Sequence, residues 1–336
     1  MKSILVDVRA SEASLKALKA IPGIKVTLCE PVSEEARALP LELVRDQHIL
    51  FCSSLPENFK EMKQLEWVQL CSAGYEQLIG WNFPQRQIHA TNASGVFDVP
   101  IGEWCYAMMV NLARDLRGMI RNQDKGHWDR SARFQQEIRG KVVGFWGYGG
   151  LAREAARISK AAGMQVHVLS RHGIGPRKNS YAAPGTGDIE GLLPDHVFGL
   201  EERFEFLKGL DFLILAMPLN EMTRGMVGEG ELRALPRHAF LLNPARGPLV
   251  QEQALIQALS EGWFAGAALD THFAYPLPPE HPLWKMTNVL LTPHISGSNL
   301  SPHFLPRVWD VFTQNVQRFV GGEPLLNELT CEQLTG

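Results

Sequence analysis

Cysteine is scarce in this chain of 336 residues, which holds five. Cys29, Cys52, Cys71, Cys105 and Cys331 are scattered, odd in number and nowhere in C-x-x-C spacing. That excludes a disulfide framework and fits free thiols in a reducing compartment. No metal site is expected. Long apolar runs are missing too, and nothing approaches the roughly 18 residues that a membrane span requires. The opening run Ile4-Leu5-Val6 is interrupted by Asp7, too early for a signal-peptide core, so it reads as a first buried strand. Charge of one sign is absent: 33 Lys and Arg stand against 36 Asp and Glu, a formal charge of −3. Such a balance attracts neither phosphate backbones nor anionic membranes, so neither nucleic acid nor membrane is an expected partner. Internal repeats and low-complexity tracts are also lacking. A cytoplasmic globular protein is the expectation.

With 45% apolar and 21% charged residues the composition is that of an ordinary folded protein, long enough for two domains. Short apolar runs at Ile4–Val8, Lys25–Cys29, His48–Ser53 and Trp67–Cys71 alternate with amphipathic stretches such as Ser11–Ala20, the pattern of parallel strands with crossover helices. One long helix is predicted from Pro100 to Arg121, with Pro100 in its first turn and Trp104, Met108, Leu112 and Leu116 on one face. A second alternating series begins at Lys141 and runs through Gln165–Leu169, Phe212–Ala216, Phe240–Asn243, Phe264–Leu269 and Val289–Thr292, with a helical pattern at Gln251–Glu261. A last helix, Pro302–Val320, is placed back on the first domain. The predicted fold class is α/β with two doubly wound domains. A Rossmann dinucleotide-binding domain (99–298) is inserted into a discontinuous, flavodoxin-like substrate domain (1–98 and 299–336).

One segment resists this scheme. From His172 to Leu200 the chain is rich in Gly, Pro and polar residues, a length of loop that is unusual in a compact domain and marks either a functional element or a surface insertion.

The most informative motif follows the apolar strand Lys141–Trp146. Gly147-Tyr148-Gly149-Gly150-Leu151-Ala152 opens a helix that runs to Ala162 and stops at Gly163. In this G-x-G-x-x-A fingerprint Gly147 permits the tight turn, Gly149 lets a pyrophosphate approach the backbone, and small Ala152 lets the helix pack on the strand. Exposed N–H groups at the helix start then bind the phosphates. The next strand ends at Ser170-Arg171, where an NAD site carries a carboxylate for the ribose hydroxyls. Ser170 and Arg171 suit a 2′-phosphate instead, so NADP is the expected cofactor, with NAD the alternative. His172, Arg177 and Lys178 read as a solvated basic loop.

Beyond the fingerprint, motifs along nearly the whole chain resemble the D-isomer-specific 2-hydroxyacid dehydrogenases, which include formate and phosphite dehydrogenases. They are Ser72-Ala73-Gly74, Asn92-Ala93-Ser94-Gly95, Arg139-Gly140-Lys141, Ala216-Met217-Pro218-Leu219 with Thr223, and Leu242-Asn243-Pro244-Ala245-Arg246-Gly247. Ala268-Leu269-Asp270, His281-Pro282-Leu283-Trp284 and Leu291-Thr292-Pro293-His294-Ile295-Ser296-Gly297 complete the series in family order. The resemblance implies that Arg246 binds the substrate carboxylate and carbonyl and that His294 is the acid/base. It also implies that the Ser72-Ala73-Gly74 turn holds the carboxylate through backbone N–H groups, and that Asp270 lies beside the nicotinamide. Cofactor contacts are implied at Gly147 to Leu151, Ser170, Arg171, Met217, Pro218, Thr223, Pro244, Ala245, Arg246, Asp270, His294 and Gly297. The chemistry agrees: a guanidinium fork matches a carboxylate, and an imidazole exchanges protons near neutral pH.

One position departs from the family pattern. Asp270-Thr271-His272-Phe273-Ala274-Tyr275-Pro276 puts Tyr275 where the family has the Glu that pairs with the catalytic His. A neutral hydroxyl can orient the imidazole but does not favour its protonated form, so a lower His294 pKa is expected. His272 and Glu280 read as surface loop positions, and Trp81, Phe97 and Phe304 are candidate pocket walls. The implied activity is interconversion of a small 2-keto acid and its D-2-hydroxy acid, in a likeness that also suggests a homodimer. Formate-type chemistry needing little acid–base help and a non-catalytic dinucleotide-sensing module are the alternatives.

Overall fold

The computed structural model describes residues 1–131 and 135–335, in two compact units. Unit 1 comprises Met1–Phe97, Lys178–Pro184 and Asn299–Gly336; unit 2 comprises Asp98–Arg177 and Gly185–Ser298.

Unit 1 is a five-stranded parallel sheet of β1 (Lys2–Asp7), β2 (Ile24–Leu28), β3 (Ile49–Cys52), β4 (Trp67–Leu70) and β5 (His89–Thr91), in the order β2-β1-β3-β4-β5. That is the flavodoxin-like order. Helix α1 (Glu12–Lys19) starts where the Ser11 hydroxyl accepts the N–H of Ser14, an N-cap that the sequence places at the expected boundary. The last long helix, Phe304–Gly321, belongs to this unit and stacks Phe312 on Phe51 of β3 at 4.0 Å between ring centroids. Inside the apolar layer runs a fully buried polar chain. Trp67 Nε1 donates to the Thr91 hydroxyl, which donates to Gln69 Oε1, and Asn315 Nδ2 donates to that same oxygen. Each member is satisfied, so the chain fixes the helix on the sheet rather than weakening the core.

Unit 2 begins with α2 (Asp98–Ala113) and α3 (Leu116–Asp124). The single helix predicted over Pro100–Arg121 is therefore two. Asp115 adopts a left-handed conformation (φ +46°), which ends the first helix, and its carboxylate accepts the N–H of Gly118 to cap the second. Apolar periodicity ran across the break although the second helix buries none of its residues, and Leu116, placed on the buried face by that pattern, is exposed. Seven parallel strands follow: β6 (Val142–Trp146), β7 (Gln165–Leu169), β8 (His196–Phe198), β9 (Phe212–Leu215), β10 (Phe240–Asn243), β11 (Gly266–Leu269) and β12 (Val289–Leu291). Their order, β12-β11-β10-β9-β6-β7-β8, is a Rossmann sheet with one added strand. Helix α4 (Gly150–Ala161) crosses from β6 to β7, and α5 (Glu252–Glu261) from β10 to β11. Apolar runs on β6, β9 and β10 are buried on both faces, which is why they read as continuous rather than alternating.

The awkward segment 172–200 is neither a free loop nor a single insertion. It contains edge strand β8, and its middle, Lys178–Pro184, packs in unit 1, where the expected boundary of 99–298 had put it in the other unit. The reason is Tyr181, which is 3% exposed among the unit 1 core side chains. Its N–H donates to Asn327 Oδ1 and its hydroxyl to Asp310. No spacing in the sequence signals that docking.

Candidate active site

Strand order reverses between β6 and β9, and the carboxyl ends of β6, β7, β9, β10, β11 and β12 carry almost all the residues singled out from the sequence of unit 2. A dinucleotide binds at such a switch point because loops there diverge and leave a crevice. Gly147 fills the reversal itself. It has φ +93°, and a Cβ on it would lie 2.9 Å from the carbonyl oxygen of Ala216 at the end of β9. Gly149 is the N-cap of α4, extended in backbone and with no side chain capping the helix. Nothing lies within 4 Å of where its Cβ would be. The first N–H groups of α4 thus lack a side-chain cap and start beside a residue with no side chain, the cradle that a pyrophosphate fits. Ala152, fully buried, lets α4 settle on the sheet.

Tyr148, inside the turn, is held from outside it. Its hydroxyl donates to Asp188 Oδ2 at 2.8 Å, and the Arg153 guanidinium lies over its ring, 4.9 Å from the centroid. Burial, with the Asp188 carboxylate second, pushes the phenol pKa far above its ordinary value, so Tyr148 acts as a donor at every working pH. At the end of β7 the Ser170 hydroxyl donates to the carbonyl of Gly173. Arg171 is exposed, with Nε directed to His172 and Nη1 to the sulfur of Met222. After β9, Met217 is buried and Pro218 exposed. Thr223 ties that loop by donating its hydroxyl to the Pro218 carbonyl.

At the end of β10 the buried side chain of Asn243 shapes the turn: its Oδ1 accepts the N–H groups of Ala245 and Arg246, and its Nδ2 donates to the Arg246 carbonyl. Pro244 and Ala245 are buried and Arg246 is half-buried. Gly247 follows where a Cβ would stand 2.3 Å from the carbonyl oxygen of His272, so the ends of β10 and β11 approach as only glycine allows.

Asp270, at the end of β11, is completely buried and faces inward. Its carboxylate accepts the hydroxyl of Thr292 at 2.5 Å and the N–H groups of Ile295 and Ser296 at 2.9 Å each, while its carbonyl accepts the N–H of His294. Trp104 of α2 donates its indole N–H to the Thr292 hydroxyl. These bonds hold the loop on which His294 sits at φ +56°, a left-handed conformation uncommon for a side chain larger than glycine. Gly297 lies just past the last of those donors. The His294 ring remains accessible. Partial removal of water lowers its pKa below the ordinary imidazole value; Arg246 and His272 act in the same direction, against the pull of Asp270.

Tyr275 is brought beside that imidazole, ring centroids 5.5 Å apart, but its hydroxyl accepts the backbone N–H of His272. Among the described residues no hydrogen bond orients the His294 ring, so the expected orienting role of the Tyr275 hydroxyl is not taken up here. His272 corrects the reading as a surface position. It is 5% exposed, its Nε2 bonds to the Thr292 carbonyl, and its Nδ1 is buried with no partner among the described residues. Its neighbours in sequence, Thr271 and Phe273, gave no sign of this; the bond to Thr292, just past the end of β12, ties the ring inward. Glu280 is exposed, as expected.

In unit 1 the Ser72-Ala73-Gly74 turn follows β4. All three carbonyl oxygens are engaged, by the N–H of Ala93, by Asn92 Nδ2 and by the Ser72 hydroxyl. The N–H groups of Ala73 and Gly74 have no acceptor among the described residues, which leaves two adjacent donors for an anion. Of the candidate walls, Trp81 packs edge-on against Phe59, and Phe97 lies 5.3 Å from Phe304. Among the described residues no group of three or more His, Cys, Asp or Glu could hold a metal, and no helix is long and apolar enough to cross a membrane.

Comparison with known proteins places these motifs. Residues 106–296 match the family model described as D-isomer specific 2-hydroxyacid dehydrogenase, NAD binding domain. A glyoxylate reductase of Pyrococcus furiosus is 30% identical over 328 residues, 91% of each chain. Among solved structures, a D-isomer specific 2-hydroxyacid dehydrogenase from Xanthobacter autotrophicus, in complex with NADPH and MES, superposes with a TM-score of 0.75 at 27% identity, covering 98% of both chains. A family protein from Aeromonas salmonicida reaches a TM-score of 0.78 at 24% identity, over 98% of this chain and 99% of its own.

Proposed function

The chain belongs to the D-isomer specific 2-hydroxyacid dehydrogenase family, and from that premise we propose that it is an NADPH-preferring reductase of small 2-keto acids, glyoxylate first among them. Its class is NAD(P)-dependent oxidoreduction of 2-hydroxy acids. The keto acid chosen, the D configuration of chiral products and the preference for NADP are the proposal. The observation that carries it is one end of the sheet, at the carboxyl ends of its strands, bearing an uncapped glycine turn, a half-buried arginine and a histidine on a loop pinned by a buried carboxylate. The Pyrococcus relative's name supports glyoxylate, and the NADPH of the Xanthobacter structure supports the cofactor.

When bound, the dinucleotide supplies the hydride. Open N–H groups of α4 hold its pyrophosphate, while Ser170 and Arg171 meet the adenosine ribose, where a carboxylate-free strand end accepts a 2′-phosphate. Arg246 offers a planar fork to the substrate carboxylate and polarises the carbonyl at C2. As C2 gains the hydride the carbonyl electron pair moves to oxygen, and a ring nitrogen of His294 delivers the proton to that oxygen. Arg246 spreads its charge over the same oxygen during the step. Asp270 positions this chemistry without entering it. Because His294 is biased toward its neutral form, the protein favours proton removal, hence hydroxy-acid oxidation, at a lower pH than an ordinary imidazole.

The test is absorbance at the nicotinamide band with NADPH and with NADH, against glyoxylate, hydroxypyruvate, pyruvate and phenylpyruvate. Consumption of NADPH faster than NADH with a small keto acid supports the reading. Tight NADPH binding with no turnover of any of the four overturns it in favour of a sensing module, and NADP reduction by formate overturns it in favour of the formate-type alternative. A homodimer is part of the same proposal; sedimentation as a monomer at micromolar concentration removes it.

A further inference from the structure

The sequence assigned Arg177 to a solvated loop, but its side chain is only 19% exposed. The loop delivers it to the start of α4. There Gly150, the first helical residue, lacks a side chain, and the space its Cβ would enter is taken. Arg177 Nη1 would lie 2.6 Å from that Cβ and Asp98 Oδ2 1.9 Å from it. The Asp98 carboxylate and, beside it, the Arg177 guanidinium therefore share the position that a side chain on the third glycine of the fingerprint would fill.

That placement is built rather than incidental. Arg153, itself 5% exposed, bridges both arms of the loop: its Nη2 donates to the Gly175 carbonyl and its Nη1 to the carbonyls of Asp188 and Ile189. The N–H of Arg177 donates to the Ile189 carbonyl, which fixes the backbone from which the guanidinium projects. Asp98 is the only acidic partner of Arg177 among the described residues, at 3.6 Å, too long for a good hydrogen bond. A guanidinium has five donors in a fixed fork. Those of Arg177 stand beside helix N–H groups that are likewise uncapped, where the glycine turn places a pyrophosphate.

We infer that Arg177 is a pyrophosphate-binding residue of the dinucleotide site, carried there by the 172–200 segment through the space that Gly150 leaves open. The inference rests on the dinucleotide reading above. It accounts for three features at once: a third glycine where the fingerprint tolerates any residue, a long segment pinned at both arms, and a partly buried arginine whose one acidic partner among the described residues lies at 3.6 Å. Asp98 holds the guanidinium in place before phosphate arrives.

The experiment measures Kd for NADH and NADPH, and competition by inorganic pyrophosphate, for the wild type, Arg177→Gln, Arg177→Lys and Gly150→Ala. Losing a charge-assisted contact predicts that Arg177→Gln weakens both dinucleotides by about tenfold or more and abolishes pyrophosphate competition, with kcat at saturating dinucleotide within about twofold. Arg177→Lys recovers part of the affinity. Gly150→Ala imitates the loss, since the atoms its methyl meets are ends of flexible side chains that yield without unfolding. Unchanged NADH affinity in Arg177→Gln overturns the inference. A loss confined to NADPH also overturns it, by moving Arg177 to the 2′-phosphate, and a fall in kcat matching that in affinity overturns it in favour of a structural role. A wild type that binds neither dinucleotide overturns the reading beneath it as well.

Discussion

Tyr275 lays its ring 5.5 Å from that of His294 and accepts, with its hydroxyl, the backbone N–H of His272. The imidazole thus has an aromatic neighbour where the family pattern predicts a carboxylate, and the anion that acts on it, Asp270, is occupied by the loop that carries it. Water removal, Arg246 and His272 together outweigh Asp270 and lower the His294 pKa.

Reduction needs the imidazolium, which is lost as pH rises through the His294 pKa. With that pKa depressed, kcat/KM for keto-acid reduction declines from a lower pH than an ordinary imidazole, at about 6.5, would dictate. Tyr275→Glu places an anion beside the ring and raises the pKa, so the declining limb moves upward by about one pH unit. Superimposable pH–rate profiles for the two proteins would sink the assignment of Tyr275.

Asp270→Asn moves the same limb the other way. It removes the one charge that raises the His294 pKa, and it leaves an amide where a carboxylate had accepted three donors. Unfolding in urea is expected to register a loss of about 1–3 kcal/mol. The drift of the His294 loop lowers kcat by up to about a hundredfold. A variant with unchanged kcat and an unmoved limb argues that the loop is held by other means.

Most of the fold was legible because its signals are local. Gly147, Gly149 and Ala152 follow a continuous apolar strand, and the alternation of runs through β12 needs no long-range information. Long-range relationships were not legible. Asp115 breaks a helix by one left-handed residue within an unbroken apolar pattern. Tyr181 is buried by side chains more than a hundred residues away, and a Gly- and Pro-rich neighbourhood conceals that destination. Arg246 and His294 were found through motif order. The residues that fix them, Asn243 and Thr292, sit in the same motifs but could not be distinguished from their neighbours, since only the inter-strand register decides which way each side chain turns.

Cofactor choice is testable at Arg171, which is exposed and whose side chain, among the described residues, bonds to His172 and Met222. Truncation there leaves no buried group unsatisfied, so Arg171→Ala folds normally. If it meets a 2′-phosphate, the KM for NADPH rises by about tenfold or more and that for NADH stays within about twofold. Equal effects on the two cofactors refute the contact.

Gly247 separates geometry from chemistry at the substrate end. A Cβ there meets the His272 carbonyl oxygen at 2.3 Å and the carbonyl carbon at 2.4 Å. Both are backbone atoms, so no rotamer relieves the clash, and the ends of β10 and β11 must part. Gly247→Ala is therefore expected to cost about 1–3 kcal/mol in unfolding and to shift Arg246 from its turn. The KM for the keto acid then rises about tenfold, while NADPH affinity, held chiefly at the turn after β6 by Gly147 and α4, changes less. Arg246→Lys keeps the backbone and the charge but loses the fork, so it raises the same KM with little change in the unfolding midpoint. If Gly247→Ala lowers stability and leaves the KM untouched, Arg246 does not depend on the β10–β11 approach for its aim, and the carboxylate assignment must rest on another donor.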